Sequence, residues 1–288
     1  MKKNIQLAHS PDADDIFMYY AIKFGWVDTK NYHFSNIGLD IETLNVEAIK
    51  GTYDVSAISF GMYPLIKEEY ALLRTAVSFG EGYGPKLIRL KDKKLKRNFK
   101  VALSGKYTTN AMLFRIYYPL ARPIYMDFLE IEDAVISGKV DAGVLIHESI
   151  LDFDKSLEVE KEIWDIWVEL AGENLPLPLG GMAIRRSIPL NRAIEIENIL
   201  IEGVEVANNK KEALCTKLEE DNLVRISDKL LKKYLEMYAS NDSIELSPLQ
   251  LQALDKLYEI GLKNNLWKEI IKTEDYLIPK EYQKLREK

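Results

Sequence analysis

Two stretches of this sequence repeat one pattern: LAHSPDADDIFM at residues 7–18 and ALSGKYTTNAML at residues 102–113. They align without a gap. Each begins with a short apolar run typical of a β-strand, continues through a small polar loop, and ends in apolar residues at helical spacing. The repeated order of strand, loop and helix predicts the start of a βαβ unit in each half of the chain.

A second pair of segments supports the repeat: EAIKGTYDVSAI at residues 47–58 and DAVISGKVDAGVL at residues 133–145. In each, a helix ends at a glycine, Gly51 or Gly138. An aspartate follows three residues later, Asp54 or Asp141, and then an apolar strand. The glycine fits a left-handed position after a helix, and the apolar run fits a strand buried in a parallel sheet. Chance similarity is the alternative, because such units recur widely.

The repeat predicts an α/β fold of two lobes, each a mixed sheet flanked by helices, with a ligand cleft between them. Residues 77–90 and 175–186 are the predicted crossings. The large lobe would then contain residues 1–91 and 175–288, and the small lobe residues 92–174. The C-terminal third has amphipathic helical spacing, and we expect it to pad the large lobe without contributing chemistry.

The composition of the chain argues against several classes of partner and of site. The 288 residues carry a net charge of -6, which argues against a nucleic-acid groove. The single cysteine, Cys215, excludes an intramolecular disulfide and thiolate metal clusters, and we expect it to be a packed residue. Because neither a signal-peptide core nor a stretch of membrane-spanning length is present, a cytoplasmic location without membrane contact is predicted.

Ligands of open α/β sheets bind beyond the carboxyl ends of the strands. The repeat identifies the residues at those ends in both lobes. In the large lobe they are His9, Ser10, the loop to Asp15, Ser59 and Phe60. In the small lobe they are Ser104, Gly105, the loop to Asn110, Ile146 and His147.

Thr108, Thr109 and Asn110 open the predicted small-lobe helix. Free backbone N–H groups and hydroxyls at a helix start make a site for a carboxylate. A plain helix cap is the alternative, since Thr and Asn are common capping residues.

Asp12, Asp14 and Asp15 take the matching place in the large lobe. Acids near a helix start stabilise the helix, which is the simpler interpretation. As part of a site they would repel an anion and accept hydrogen bonds from sugar-type hydroxyls. The nearby ligands are too sparse to predict a metal site. The two lobes together indicate a ligand with an acidic end and a hydroxylated end.

His147 follows GVLI at a predicted strand end. A neutral imidazole there can act as a general base near neutral pH, and the alternative is a hydrogen-bonded structural histidine. His9 is a second candidate at the same level of the other lobe. The sequence contains no phosphate loop, dinucleotide fingerprint, nucleophile elbow or metalloprotease motif. A cofactor-free acid/base reaction is therefore predicted.

Four segments together resemble 1,4-dihydroxy-6-naphthoate synthase of the futalosine route to menaquinone. They are HSPDADDIFMYYAI at 9–22, SGKYTTNAMLF at 104–114, GKVDAGVLIHES at 138–149 and LPLPLGGMAIRR at 175–186. The resemblance runs over about residues 5–190, in the expected order. Many members carry S-P-C-P-N-D where this chain has SPDADD, so the roles of Asp12 and Asp14 are less defined than that of His147.

The resemblance implies a fold like that of type II periplasmic solute-binding proteins. It also implies that cyclic dehypoxanthinyl futalosine is cleaved to 1,4-dihydroxy-6-naphthoate and dihydroxyacetone without a cofactor, with His147 as the base. Substrate contacts are implied near Ala57, Ile58 and Ser59, and near Thr108–Asn110. The strand-end argument adds His9, Ser10 and Asp14 in the first loop to the expected contacts.

Two other functions stay open at this point. Chorismate dehydratase of the same pathway has a similar two-lobed fold and also takes a carboxylated substrate. A non-catalytic cytoplasmic binding protein with the same clamp would bind its ligand tightly without turnover.

Overall fold

The computed structural model of the chain describes residues 2–224 and 228–282, which contain eleven strands and nine α-helices. The strands are β1 (Lys3–His9), β2 (Tyr32–Gly38), β3 (Val55–Ser59), β4 (Tyr70–Leu72), β5 (Ser78–Gly80), β6 (Lys86–Leu90), β7 (Lys100–Leu103), β8 (Arg122–Tyr125), β9 (Ala142–Leu145), β10 (Leu157–Glu162) and β11 (Leu177–Arg185). The helices are α1 (Ala13–Lys23), α2 (Ile41–Lys50), α3 (Thr109–Tyr117), α4 (Ile131–Ile136), α5 (Ile163–Ala171), α6 (Leu190–Asn209), α7 (Lys211–Glu220), α8 (Asp228–Tyr238) and α9 (Pro248–Lys263).

The strands form two mixed sheets with a shared topology. The first sheet has the order β2-β1-β3-β11-β4, with β5 paired to β11, and the second has the order β10-β6-β9-β7-β8. In the first sheet β1 is parallel to β2 and β3, and β11 is antiparallel to β3. In the second, β7 is parallel to β8 and β9, and β6 is antiparallel to β9. The predicted α/β class and the internal repeat are confirmed.

The repeat extends to single residues. Gly51 and Gly138 follow α2 and α4 with φ of 67° and 74°, the left-handed conformation predicted for both. Asp54 accepts a backbone N–H from β1 at 2.9 Å, and Asp141 accepts one from β7 at 2.7 Å. Each aspartate thereby fastens the start of its buried strand, β3 or β9, to the neighbouring parallel strand.

One detail of the ungapped alignment is wrong. It pairs Thr108 with Ala13, whereas the residues that cap the two helices are Thr108 and Asp12. The loop before the helix has five residues in the second sheet, 104–108, and three in the first, 10–12, so it is longer by two residues.

The chain crosses from the first sheet to the second at residues 81–85, which connect β5 to β6. It returns at residues 172–176, which connect α5 to β11 of the first sheet. The sequence predicts residues 86–90 in the large lobe. In the structure they form β6, which pairs with β9 and β10 of the second sheet, and Leu87 and Ile88 of β6 are buried. We propose lobe boundaries at these two crossings. Residues 225–227 and 283–288 of the predicted second segment lie outside the described residues.

Packing of the C-terminal helices follows the predicted pattern in part. Helix α6 lies against α1, α8 against α1 and β5, and α9 against β11 and α5. Cys215 is buried in α7, as predicted. No helix of the described residues is both long and apolar enough to cross a membrane.

The left-handed glycine after α4 gives a test of the repeat. An added Cβ at Gly138 meets nothing closer than 3.6 Å, so Gly138→Ala changes backbone strain and little else. We expect the free energy of unfolding to fall by about 1–2 kcal/mol, measured by urea denaturation. Gly38→Ala is the control, because that glycine has open space around it and no left-handed φ, and its effect should stay within about 0.5 kcal/mol. Equal effects of the two substitutions would contradict the assigned conformation.

Candidate active site

A single cavity lies where the carboxyl ends of β1, β3 and β9 and the loop after β7 face each other across the two sheets. Nine of the ten candidate site residues line it: Ser10, Asp14, Ala57, Ile58, Ser59, Thr108, Thr109, Asn110 and His147. Further lining residues are Asp15, Ile41, Ala76, Ser78, Pro85, Ile146, Leu179, Gly180, Gly181, Tyr234 and Tyr238. The strand-end argument thus places most of the expected residues on one surface.

The imidazole of His147, which lines the cavity, contacts a buried carboxylate behind it. Its Nε2 lies 2.9 Å from Oδ2 of Asp12, which is the distance of an ion pair between an imidazolium and a carboxylate. The Asp12 side chain is 1% exposed and that of His147 is 18% exposed. The ring of Phe128 meets the imidazole edge-on, with 5.0 Å between centroids.

These neighbours set the protonation of His147. Burial alone would lower the pKa of His147, but the contact with Asp12, with help from Asp14 and Glu148, outweighs it and raises the pKa to about 9. The imidazolium is therefore the main form at neutral pH, whereas the sequence suggested a neutral ring. A small neutral fraction remains available as a base, and it grows as the pH rises.

The three aspartates at the start of α1 belong to one hydrogen-bonded network, in which Ser10 binds Asp12 and Asp15 and other side chains bind Asp14. Ser10 donates its hydroxyl to Asp12 at 2.5 Å and its backbone N–H to Asp15 at 2.7 Å. Asp14 accepts hydrogen bonds from Ser78 at 2.9 Å and from Tyr234 at 3.3 Å.

Burial raises the pKa of Asp14 to about 6 and that of Asp15 to about 8, and the charge of Asp14 contributes further to the shift at Asp15. At neutral pH Asp15 is mainly protonated, and a protonated carboxyl can donate a hydrogen bond as well as accept one. The repulsion of an anionic ligand expected from three carboxylates is therefore smaller than their number suggests.

The start of α3 differs from its predicted chemistry. The Thr108 hydroxyl caps the helix by accepting the N–H of Ala111 at 3.3 Å. The Thr109 hydroxyl donates to the carbonyl of Leu179 at 2.7 Å and accepts the N–H of Gly61 at 2.9 Å. Both hydroxyls are thus engaged. The first backbone N–H groups of the helix have no acceptor within it, and they become the donors available to a carboxylate.

Other carboxylates connect the two sheet regions. Glu42 of α2 accepts the backbone N–H groups of Lys106 and Tyr107 at 2.8 and 3.0 Å. Glu148, next to His147, accepts the N–H of Ala13 at 3.1 Å. Together with Thr109, these contacts hold the sheets in a closed arrangement around the cavity.

His9 lies outside the cavity lining. Its Nδ1–H donates to the carbonyl of Ser10 at 2.7 Å, and its Nε2 accepts from the side-chain amide of Asn36 at 3.3 Å. Its ring packs 5.3 Å from the ring of Tyr19, and burial lowers the pKa of His9. Both ring nitrogens are occupied, which is the arrangement of a neutral structural histidine.

Three site features were missed by sequence reasoning. Tyr234 and Tyr238 of α8 line the cavity, so this helix does more than pad the large lobe. Asn45 exchanges two hydrogen bonds with Ser59, at 2.9 and 3.0 Å, and fixes its hydroxyl. The two tyrosines are four residues apart on an amphipathic helix, and residues of a hydrophobic core have the same spacing, so the pattern does not mark them as site residues. Asn45 belongs to no motif.

Comparison with known proteins shows the family to which the chain belongs. A family model described as menaquinone biosynthesis matches residues 5–263. The chain belongs to this family. A 1,4-dihydroxy-6-naphthoate synthase from Thermus thermophilus is 30% identical over 185 residues, which are 64% of this chain and 67% of the relative. The predicted resemblance to such synthases, and with it the prediction that the chain is an enzyme, is confirmed.

Solved structures agree on the fold. A protein from Archaeoglobus fulgidus is 33% identical with a TM-score of 0.83, over 92% of this chain and 98% of its own. A Candida albicans protein described as having the generic periplasmic binding protein fold is 12% identical with a TM-score of 0.69, over 98% of each chain. The second likeness concerns the fold alone, and it confirms the predicted periplasmic-binding-protein-like architecture.

The Thr109 hydroxyl provides a test of the closed arrangement. Thr109→Val keeps the shape of the side chain but leaves the Gly61 N–H and Leu179 carbonyl without their partner. We expect the free energy of unfolding to fall by about 1–3 kcal/mol. Thr109→Ser keeps the hydroxyl and is the matched control. If the Val variant unfolds at the same denaturant concentration as the Ser variant, the hydroxyl does not link the sheets.

Proposed function

We propose that the chain cleaves cyclic dehypoxanthinyl futalosine to 1,4-dihydroxy-6-naphthoate and dihydroxyacetone, with His147 as the general base. The observation that carries this proposal is the shared cavity: His147 and the first residues of α3 line one space between the sheets. Membership of the menaquinone biosynthesis family and the synthase relative support the same reaction.

The substrate has a carboxylated aromatic end and a hydroxylated end derived from a sugar. The carboxylate fits the backbone N–H groups of Thr109 and Asn110, where the helix dipole favours negative charge. The hydroxyls fit the opposite wall, which contains Asp14, Asp15 and Ser59. These three side chains offer both hydrogen-bond acceptors and donors, since Asp15 is mainly protonated.

His147 would remove a proton from the sugar-derived part. Cleavage of the carbon–carbon bond and aromatisation of the ring would follow, and the aromatic product supplies driving force. The interlobe contacts at Glu42 and Thr109 would keep the two lobes together around the substrate during the reaction. A cytoplasmic location, as for a biosynthetic enzyme acting on a free small molecule, is part of this proposal.

Incubation with cyclic dehypoxanthinyl futalosine tests the reaction directly. We expect the naphthoate to accumulate and to be detected by liquid chromatography and mass spectrometry, together with one equivalent of dihydroxyacetone. Chorismate, assayed in parallel, should remain unchanged. Dehydration of chorismate would favour the dehydratase, and tight binding of the futalosine without product at high enzyme concentration would favour a binding protein.

His147→Asn tests the base. The variant should bind the substrate with near-normal affinity but turn it over about 10²–10⁴-fold more slowly, because a general base has been removed. His33→Asn is the control, since His33 is exposed in β2 far from the lining residues, and its kcat should be unchanged. Turnover by His147→Asn within a few-fold of the wild type excludes His147 as the base.

A further inference from the structure

We propose that Asp12 is a positioning residue: it holds the Nε2–H tautomer of His147, so that Nδ1 keeps the lone pair that accepts the substrate proton. The inference rests on the proposed function and deepens it. It assigns a role to a side chain that lies outside the cavity lining.

The first step is the geometry of the imidazole. Nε2 of His147 is buried and lies 2.9 Å from Asp12, so no substrate atom can reach it. Since His147 lines the cavity, Nδ1 is the only ring nitrogen left to meet a substrate. A base needs its lone pair on that atom, and the proton of the neutral ring must therefore reside on Nε2, facing the carboxylate.

The second step concerns the hydrogen-bond partners of the Asp12 carboxylate. Asp12 occupies the N-cap position of α1, where an aspartate usually accepts a backbone N–H of its own helix. Here the side chain makes no such bond. Instead the oxygen nearest to His147 is held by the hydroxyl of Ser10 at 2.5 Å. A good capping residue has thus been turned away from the helix and fixed toward the imidazole.

The third step concerns the histidine backbone. His147 has φ of 53°, a left-handed conformation that costs a residue with a side chain about 1 kcal/mol or more. The strained turn starts the 3₁₀ segment His147–Ile150 and directs the ring toward α1. The ring of Phe128 packs against it from the side. Both partners of the ion pair are therefore held by their own surroundings.

Burial is the largest single effect on the pKa of His147 and lowers it, while the carboxyls of Asp12, Asp14 and Glu148 raise it, and Asp15 also interacts with its charge. Among these carboxyls Asp12 has the largest effect, because it is in contact with the ring. After Nδ1 accepts the substrate proton, the resulting imidazolium is stabilised by the same carboxylate. The pair thus works as the histidine and aspartate of a catalytic triad do.

The test is the pH dependence of kcat/KM in Asp12→Asn. In the wild type kcat/KM should rise with pH toward a midpoint near 9, since deprotonated His147 is required. Without the carboxylate the midpoint should fall by at least about one pH unit, because only the weaker effects of Asp14 and Glu148 then oppose the lowering of the pKa by burial. The plateau should drop by about 10²–10⁴-fold, as the amide can donate to Nε2 and favour the wrong tautomer.

Two other variants separate positioning from stability. Asp12→Ser removes the charge but keeps a good helix-capping residue, and its midpoint should shift as in the Asn variant. Asp14→Asn removes a nearby carboxylate that already has Ser78 and Tyr234 as partners, and its midpoint should shift less. Lower rates with an unmoved midpoint in both Asp12 variants would overturn the proposal.

A readout without substrate distinguishes this inference from the proposed function. Ring ¹⁵N spectra of labelled histidine resolve three residues, and His147→Asn assigns the signal. The wild type should show the Nε2–H tautomer above its pKa, and Asp12→Asn should show a lower pKa with more Nδ1–H. If these hold but no naphthoate forms, only the reaction is wrong. If naphthoate forms but the spectra of the two proteins agree, the role of Asp12 is wrong.

Discussion

The ion pair between His147 and Asp12 joins the two halves of the molecule at the point where chemistry is proposed. Its partners come from the end of β9 and from the loop after β1, which belong to different sheets. A buried charge is costly unless it is paired, so the closed arrangement and the charge state of the histidine depend on each other. Separating the sheets would leave Asp12 without its cation and His147 without the group that raises its pKa.

The remaining interlobe contacts are hydrogen bonds that also join the two sheet regions. The carboxylates of Glu42 and Glu148 accept hydrogen bonds from backbone N–H groups of the opposite sheet region, and the Thr109 hydroxyl accepts one and donates one there. Because these partners are backbone groups, side-chain identity on the other side matters little. The fold is the generic periplasmic binding protein fold of the Candida albicans protein. In this chain the cavity is lined by an imidazole and two carboxyls with raised pKa, and such groups are concentrated at catalytic sites.

Much of the fold could be predicted from the sequence because residues that recur in the two halves have the same structural role in each. Gly51 and Gly138 both end a helix in the left-handed conformation, and Asp54 and Asp141 both fasten a buried strand. The strand-end rule then placed His147 in the cavity. Side-chain partners could not be read in this way: Asp12 looked like a helix cap, and its contact with His147 joins residues far apart in sequence. Tyr234 lies on a helix whose spacing is that of a packing element.

The central claim is that the carboxylate of the aromatic unit lies at the start of α3 and the reacting end lies at His147. A crystal structure of the complex with 1,4-dihydroxy-6-naphthoate tests it most directly. The account predicts carboxylate oxygens within hydrogen-bonding distance of the backbone N–H groups of Thr109 and Asn110, and the ring facing Nδ1 of His147. A carboxylate bound at Asp14 and Asp15, or a product bound outside the cavity, would contradict it.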